Sequence, residues 1–509
     1  MNILDNIIRL FGYVKSSDSK KIRKRTYDAA KVNRLNNDWR PGSYSSDYEI
    51  YTALVNVRNK ARDLANNNEI GKKFLRLCRK NIPGPYGFAL KMNIKKKDGT
   101  SDDIANNIIK NKFLEWCKRG NCDITGRLTF RNIQHIGIMS VARDGELLVK
   151  KIYDDSPFGF RLQILEPDLL DETINKQIDD NRFIRLGVEL DKYRKPLAYH
   201  IKTAMNSNIF DLNFYNRLTE RIPAWQIYHY FDQERAFQTR GISWLVASME
   251  RLRMIGGTDE AAIYAMRIGA SKMGFFHSSP NSMDEEYRGN NEDEEGNLIS
   301  SVAPGEFEDI GNKQFTPFDP KYPDAAYDPT MKSFGKRTAS GLDVGYHWLF
   351  NDMADANLSS IRWAFNDERA TWQMLQEDYI ENFIEPIFRD WLESAILQEQ
   401  IIIPGVKDPM LEFDRLNQPY FIGRTWAYMD PETDTNAKMN KLKSGLTSLI
   451  REHAENGDDT EDIFKEIAEV QRLAEKYGVT LNYEYKGKQG PPALDNPIPK
   501  NGKKDKVLE

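Results

Sequence analysis

The sequence predicts an α+β fold in which helices flank a central run of short strands. Apolar residues recur at spacings of three and four between Ser46 and Arg143, and again from Ile242 to Tyr477, as helices burying one face require. The stretch between them carries short apolar runs separated by turn residues, the grammar of hairpins. At 509 residues the chain is long enough for roughly three compact units.

In order along the chain, residues 1–45 read as an N-terminal arm, rich from position 15 in Lys, Arg, Asn and Ser. Leu54, Val57, Ala61, Leu64 and Ala65 then mark one face of a helix, and Asn66-Asn67-Asn68 should end it in a left-handed C-cap. A second helix carries Phe74, Leu75 and Cys78 and stops at Pro83-Gly84-Pro85. Further helices are expected over 103–118 and 130–143. Strands follow at 146–153, 160–165, 187–191, 198–201 and 227–230. Helix resumes from Ile242 to about Lys272 with a break at Gly256-Gly257, where Thr258 would cap a new start. Residues 278–312 are turn-rich and acidic. The spans 324–349 and 358–398 read as helices. Two apolar stripes, Met439, Leu442, Leu446, Leu449 and Ile450, then Ile463, Ile467, Val470, Leu473 and Tyr477, predict an αα-hairpin. The Pro, Gly and Lys-rich end beyond 486 reads as a mobile tail.

Composition narrows the function classes. Lys and Arg number 72 against 76 Asp and Glu, a formal charge of −4. A protein that grips nucleic acid tightly carries a basic surplus, because affinity comes from neutralising phosphates. This one, if it handles DNA, should hold it loosely. Three cysteines, Cys78, Cys117 and Cys122, are too few for a disulfide framework and read as reduced, buried thiols. No run of about 18 apolar residues predicts a membrane span, and the N-terminus lacks the small-residue cleavage site of a signal peptide.

Catalytic signatures fail one by one. Phe334-Gly335-Lys336-Arg337-Thr338 lacks the Ser or Thr directly after Lys, and the leading Gly, of a phosphate-binding loop. The six histidines have no ligand spacing, Cys117 and Cys122 have no second pair, and no G-x-S-x-G elbow occurs. No enzyme activity, metal or cofactor is expected.

Several segments together resemble the portal family of lambda-type tailed phages. They are Arg62-Asp63-Leu64 with the asparagine run, Cys78-Arg79-Lys80-Asn81-Ile82-Pro83-Gly84-Pro85-Tyr86-Gly87, and Trp116 with Cys122-Asp123 and Gly126-Arg127-Leu128-Thr129-Phe130. Arg143-Asp144-Gly145-Glu146, Leu165-Glu166-Pro167-Asp168 and Lys195-Pro196-Leu197-Ala198-Tyr199 follow, and then Gln238-Thr239-Arg240-Gly241-Ile242-Ser243-Trp244-Leu245, the most telling. Pro304-Gly305-Glu306, Ala356-Asn357-Leu358-Ser359-Ser360-Ile361-Arg362 and Trp426 before Met429-Asp430-Pro431 complete the order, over roughly 39 to 445. Ser243 stands where the family usually has proline.

The resemblance implies a portal fold with wing, long stem helices, clip and α-helical crown. It also implies a ring of identical subunits, typically twelve, at one vertex of a viral head. Helix order maps the wing to 46–242, the first stem helix to 243–272, the clip to 273–320 and the second stem helix to 321–347. A channel loop would occupy 348–360, a long wing helix and return 361–428, the crown hairpin 429–480 and a flexible tail 481–509. Double-stranded DNA would slide through the ring without sequence preference. The terminase large subunit, the major capsid and scaffolding proteins and head-completion or adaptor proteins would be partners, with assembly in the host cytoplasm and residence in the virion.

Three groups of residues become candidates. In the channel loop, Asn351, Asp352, Asp355 and Asn357 would face DNA, ringed carboxylates repelling phosphate so that the duplex slides; alternatively Asp352 and Asp355 cap the next helix. In the first stem helix, Ala261, Ala262, Ala265, Gly269 and Ala270 would permit close packing between neighbours; plain helix propensity is the other reading. In the clip, Asp284, Glu285, Glu286, Glu292, Asp293, Glu294 and Glu295 would dock the motor, or form only a solvated loop. The rival functions are another capsid-associated connector or adaptor and, more remotely, a nucleic-acid enzyme.

Overall fold

The computed structural model describes residues 42–203, 218–270, 274–278, 313–317, 326–354, 357–426, 431–455 and 460–479. The Ser45 hydroxyl accepts the Tyr48 N–H and opens helix α1 (Ser46–Asn67). Asn68 does two jobs: its N–H donates to the Leu64 carbonyl and its side chain accepts from Gly71 N, capping α2 (Glu69–Asn81). It is extended, at φ −116, so the asparagine run is an N-cap joint and not the left-handed C-cap the sequence predicts.

Beyond the Pro83–Gly87 turn come β1 (Ala89–Met92), α3 (Asp103–Trp116) capped by Asp102, and α4 (Phe130–Asp144) capped by Thr129. Gly145, at φ 97, ends α4 and feeds β2 (Glu146–Ile152), which pairs antiparallel with β3 (Arg161–Leu165). A five-stranded antiparallel meander follows: β4 (Lys176–Gln177), β5 (Arg182–Arg185), β6 (Val188–Asp191), β7 (Pro196–Thr203) and β8 (Leu218–Pro223). Strand β9 (Ile227–Phe231) returns to the other edge of β2, giving the order β3-β2-β9.

Helix α5 (Met249–Ala270) runs unbroken through Gly256-Gly257, against the expected break. Thr258 explains why: its hydroxyl donates to the Met254 carbonyl one turn back, a bond made from inside a helix and not from a cap. Strands β10 (Gly274–Ser278) and β11 (Lys313–Pro317) pair antiparallel. Helix α6 (Tyr327–Gly341) stops well before residue 349. Asp343 takes φ 52, Val344 N–H reaches the Ala339 carbonyl and Asp343 N–H the Ser340 carbonyl, a Schellman ending without glycine at the left-handed position. A one-turn helix α7 (Tyr346–Phe350) follows.

Helix α8 (Leu358–Tyr379) and α9 (Glu385–Leu397) form the expected long helix, joined by one wide π-turn, Ile380–Ile384. Pro386 has no N–H to give the preceding turn, and the Glu385 N–H reaches back five residues to Ile380. After the short α10 (Phe413–Leu416), β12 (Pro419–Ile422) pairs with β1, joining segments more than 300 residues apart. The expected two-helix hairpin is three helices, α11 (Pro431–Lys443), α12 (Leu449–Glu455) and α13 (Thr460–Tyr477), because Gly445 at φ 69 ends the first.

The main core is aromatic. Phe113, Trp116, Phe130, Phe160, Phe388 and Trp391 pack ring against ring between α3, α4, β3 and α9, and the Trp116 indole donates to the Phe160 carbonyl at 2.8 Å. Each fully buried side chain of this kind stabilises by roughly 1.5–3 kcal/mol. A smaller core of Leu148, Val188, Leu190, Tyr199, Ile201 and Ile222 joins the two larger sheets.

Candidate channel turn and its buried support

The turn after α7 is built by its own side chains. Asn351 ends α7 in the left-handed region, φ 56, and its side-chain oxygen accepts from Lys73 Nζ of α2 at 3.0 Å. The Asp352 carboxylate accepts the Tyr346 hydroxyl at 2.8 Å and the Ala354 N–H at 3.1 Å, and lies 3.8 Å from Lys332 Nζ of α6. The Tyr346 hydroxyl, then the Ala354 N–H, hold that carboxyl below the usual carboxylate range. His347 Nδ1 sits 2.6 Å from the Asp352 carbonyl. Asn357, not Asp352, serves the following helix: its side chain accepts from Ser360 N at 3.2 Å. Asp355 lies outside the described residues, as do Asp284, Glu285, Glu286, Glu292, Asp293, Glu294 and Glu295.

The turn is anchored from behind. Glu368 of α8 accepts the Trp372 indole N–H at 3.0 Å, and its carboxyl packs against Gly345, where a β-carbon would lie 2.6 Å from Glu368 Oε2. Burial raises the Glu368 pKa, against the Trp372 and Gly345 N–H groups.

The small residues of α5 do not form one seam within the subunit. Ala262 is buried, Ala265 half-buried and Ala261 exposed, while Gly269 and Ala270 lie outside the residues whose surroundings are described. Met254, Ile263 and Tyr264 of the same helix are exposed. Helix α5 meets α6 through Ser248, just before its start, whose hydroxyl donates to the Thr338 carbonyl at 3.1 Å, and through the Tyr327 hydroxyl on Asp259.

A charge cluster that sequence reasoning did not assign lies beside the segment that leads into α5. Glu146 is fully buried and receives Arg240 Nε at 2.7 Å, Arg58 Nη2 at 3.1 Å and His229 Nε2 at 2.9 Å. Arg58 also reaches Asp168 at 2.9 Å, and Arg62 reaches Asp144 at 2.8 Å. Arg240 fills its remaining donors with the carbonyls of Leu186 and Pro167, at 2.9 and 3.2 Å. Burial drives the Glu146 pKa up, but Arg240 and then His229 outweigh it and hold the carboxyl below the usual carboxylate range. For Asp168, burial is likewise outweighed by Arg58 and Arg62.

The cluster gathers residues from four of the segments that carry the family resemblance: Arg62, Asp144 with Glu146, Asp168, and Arg240. A charged residue on an otherwise apolar strand, such as Glu146 before Leu147-Leu148-Val149, was the available signal. Gly145 and Gly241 touch backbone to backbone beside the cluster, and a β-carbon on Gly241 would overlap the Gly145 carbonyl. Ser243 replaces the family's usual proline with two bonds, donating to the Ala142 carbonyl at 3.1 Å and accepting from Leu245 N at 3.2 Å. The arrangement clamps the segment that leads into α5 onto β2.

Among the described residues, no group of three or more His, Cys, Asp or Glu side chains is placed to hold a metal ion. No described helix is long and apolar enough to cross a membrane.

Residues 32–376 match the family model described as phage portal protein, lambda family. The chain is 30% identical over 485 residues to the probable portal protein of Halomonas phage phiHAP-1, covering 93% of this chain and 92% of that one. It is 22% identical to the portal protein of Escherichia phage N15 (87% and 88% covered) and 20% identical to portal protein B of Escherichia phage lambda (84% and 85%). Among solved structures it is similar to a chain in the neck of a native GTA particle computed with C12 symmetry, at TM-score 0.46 and 11% identity, with 79% and 94% covered. A chain in the neck of an empty GTA particle computed with C6 symmetry gives TM-score 0.47 and 11% identity, with 84% and 98% covered. With a family match over well over half its length and a relative at 30% identity along nearly all of it, the chain belongs to the lambda family of phage portal proteins.

Proposed function

We propose that this portal protein works as one subunit of a closed ring, typically of twelve, at the portal vertex of a virion head. Double-stranded DNA passes through the ring during packaging and again during ejection. The match of residues 32–376 to the portal family carries this reading. In it the chain performs no chemistry, and the energy for DNA movement comes from the terminase large subunit docked on the clip, 273–320. Head-completion or adaptor proteins take the same place later, and the major capsid and scaffolding proteins surround the wing, 46–242.

Physical features agree with a ring. Head-to-tail closure needs two different surfaces on each copy. Helix α5 offers one, since Met254, Ile263 and Tyr264 are left uncovered by their own subunit. In this reading the turn at Asn351, Asp352 and Asn357, with Asp355, stands at the channel wall, and the buried cluster around Glu146 fixes the base of α5 against the wing.

Negative-stain imaging of the purified protein tests the reading. Rings with a central hole are the expected result. A monomer with nuclease or ATPase activity would refute it, and a short stack-forming adaptor would favour the connector alternative.

A further inference from the structure

Helix α2 carries a stripe of positive charge. Lys72, Arg76, Arg79 and Lys80 are exposed at positions i, i+4, i+7 and i+8, on one face of the helix. The sole carboxylate of α2 is Glu69, in its first turn. Arg131 of α4 extends the stripe: it is exposed, and its side chain flanks Gly87 in the turn that follows α2. Burial, and then the charges of Arg79 and Arg131, lower the His135 pKa against the raising effect of the Gly84 carbonyl, so both cations share one neighbourhood. Tyr86, 86% exposed, stands at the end of the stripe.

Several exposed arginines elsewhere have carboxylates, while others, Arg127 and Arg253 among them, have none among the described residues. Arg182 pairs with Asp179 at 2.8 Å, Arg221 with Glu189 at 2.6 Å, Arg235 with Glu49 at 2.7 Å and Arg472 with Glu469 at 2.6 Å. Lys72, Arg76, Arg79, Lys80 and Arg131 have none among the described residues, in a chain whose formal charge is −4. The helix dipole accounts for cations in the last turn, at Arg79 and Lys80, but not for Lys72, Arg76 or Arg131. The stripe also adjoins the candidate channel turn, because Lys73 of the same helix bonds Asn351.

We propose that this face of the wing, α2 with Arg131 and Tyr86, is a contact site for the phosphate backbone of duplex DNA. It rests on the proposed portal function and adds a site to it. From Lys72 to Lys80 the stripe spans roughly 12 Å, the width of a major groove between its two backbones. Lysine and arginine neutralise phosphates there, and the Tyr86 hydroxyl donates to a phosphate oxygen, contacts that position a duplex without reading its sequence.

The test uses purified full-length rings and a fluorescent duplex of about 30 base pairs, titrated over salt. The variant Lys72→Gln/Arg76→Gln/Arg131→Gln should lower the slope of log K against log salt by roughly 2 to 3, about 0.9 for each phosphate no longer neutralised. The control Lys176→Gln/Lys192→Gln/Lys195→Gln removes equal charge from the five-stranded sheet and should leave the slope unchanged. An unchanged slope in the first variant, an equal fall in the control, or no duplex binding by unaltered rings overturns the site. Stripe-dependent binding of polyglutamate with stripe-independent binding of DNA overturns it in favour of an acidic protein. Thermal melting and ring imaging of each variant establish that it folds and assembles. Should the unaltered protein form no rings, the portal reading itself fails, a result separate from loss of this site.

Discussion

Gly241 lies so close to Gly145 that a β-carbon on Gly241 would sit 1.9 Å from the Gly145 carbonyl oxygen. The two glycines come from separate segments of the chain and let the approach to α5 lie flat on the end of α4. Replacing Gly241 by alanine must move backbone, and we expect a loss of about 3 kcal/mol of stability. Gly256→Ala is the contrast. A β-carbon there meets nothing within 4 Å in the subunit, and in mid-helix it should add about 0.5–1 kcal/mol. Chemical denaturation of the two variants checks the pair.

The Glu146 cluster predicts a pH dependence whose sign turns on Arg240. In the native protein the carboxyls of Glu146 and Asp168 are held below their usual values, so their contribution is complete above the unfolded pKa, about 4. It is lost as pH falls through the folded values. Arg240→Met removes the strongest partner, leaves Glu146 buried beside Arg58 and His229, and should cost about 3–5 kcal/mol at neutral pH. With Arg240 gone, burial dominates at Glu146 and its share of the stability should rise, not fall, on acidification. Denaturation midpoints from about pH 7 down to about pH 2 for both proteins decide it.

Asp352 and Asp355 test the channel turn. Lysine at both positions should impair DNA packaging while rings still assemble, because the carboxylate that binds Tyr346, Ala354 and Lys332 becomes a cation. Asp352→Asn keeps an acceptor for Tyr346 and Ala354 and should package more nearly as the unaltered protein does. Counts of DNA-filled heads give the readout. Normal packaging by the double-lysine variant would remove the turn from the channel wall.

Glu399 ends α9 in the left-handed region, at φ 56, with its N–H on the Ile396 carbonyl and the next N–H on Ala395. The side chain is exposed and serves no described partner there. Glu399→Gly should therefore stabilise by about 1 kcal/mol, the penalty of that conformation for a residue with a β-carbon. Thermal melting measures it.

Local periodicity made most helices and strands legible: Leu54, Ala61 and Leu64 are buried on α1, and Leu147 to Val149 form the centre of a sheet. Helix ends were less legible, because the left-handed residues at Asp343 and Glu399 are not glycines, whereas Gly256-Gly257 breaks nothing. The β1–β12 pairing was invisible, since no local pattern announces a partner more than 300 residues away. Motif order pointed to the family, but only the fold shows Arg62, Asp144, Glu146, Asp168 and Arg240 meeting in one buried cluster. The basic residues of α2 are plain in the sequence, yet that they have no carboxylate partner among the described residues is a fact of three dimensions.

Cryo-electron microscopy of DNA-filled heads carrying this protein tests its proposed role as a duplex conduit most directly. A closed ring of its copies at a single vertex, with the 351–354 turns pointing inward around duplex density, is the predicted image. Copies dispersed as single globules, or a ring with no opening wide enough for DNA, would contradict it.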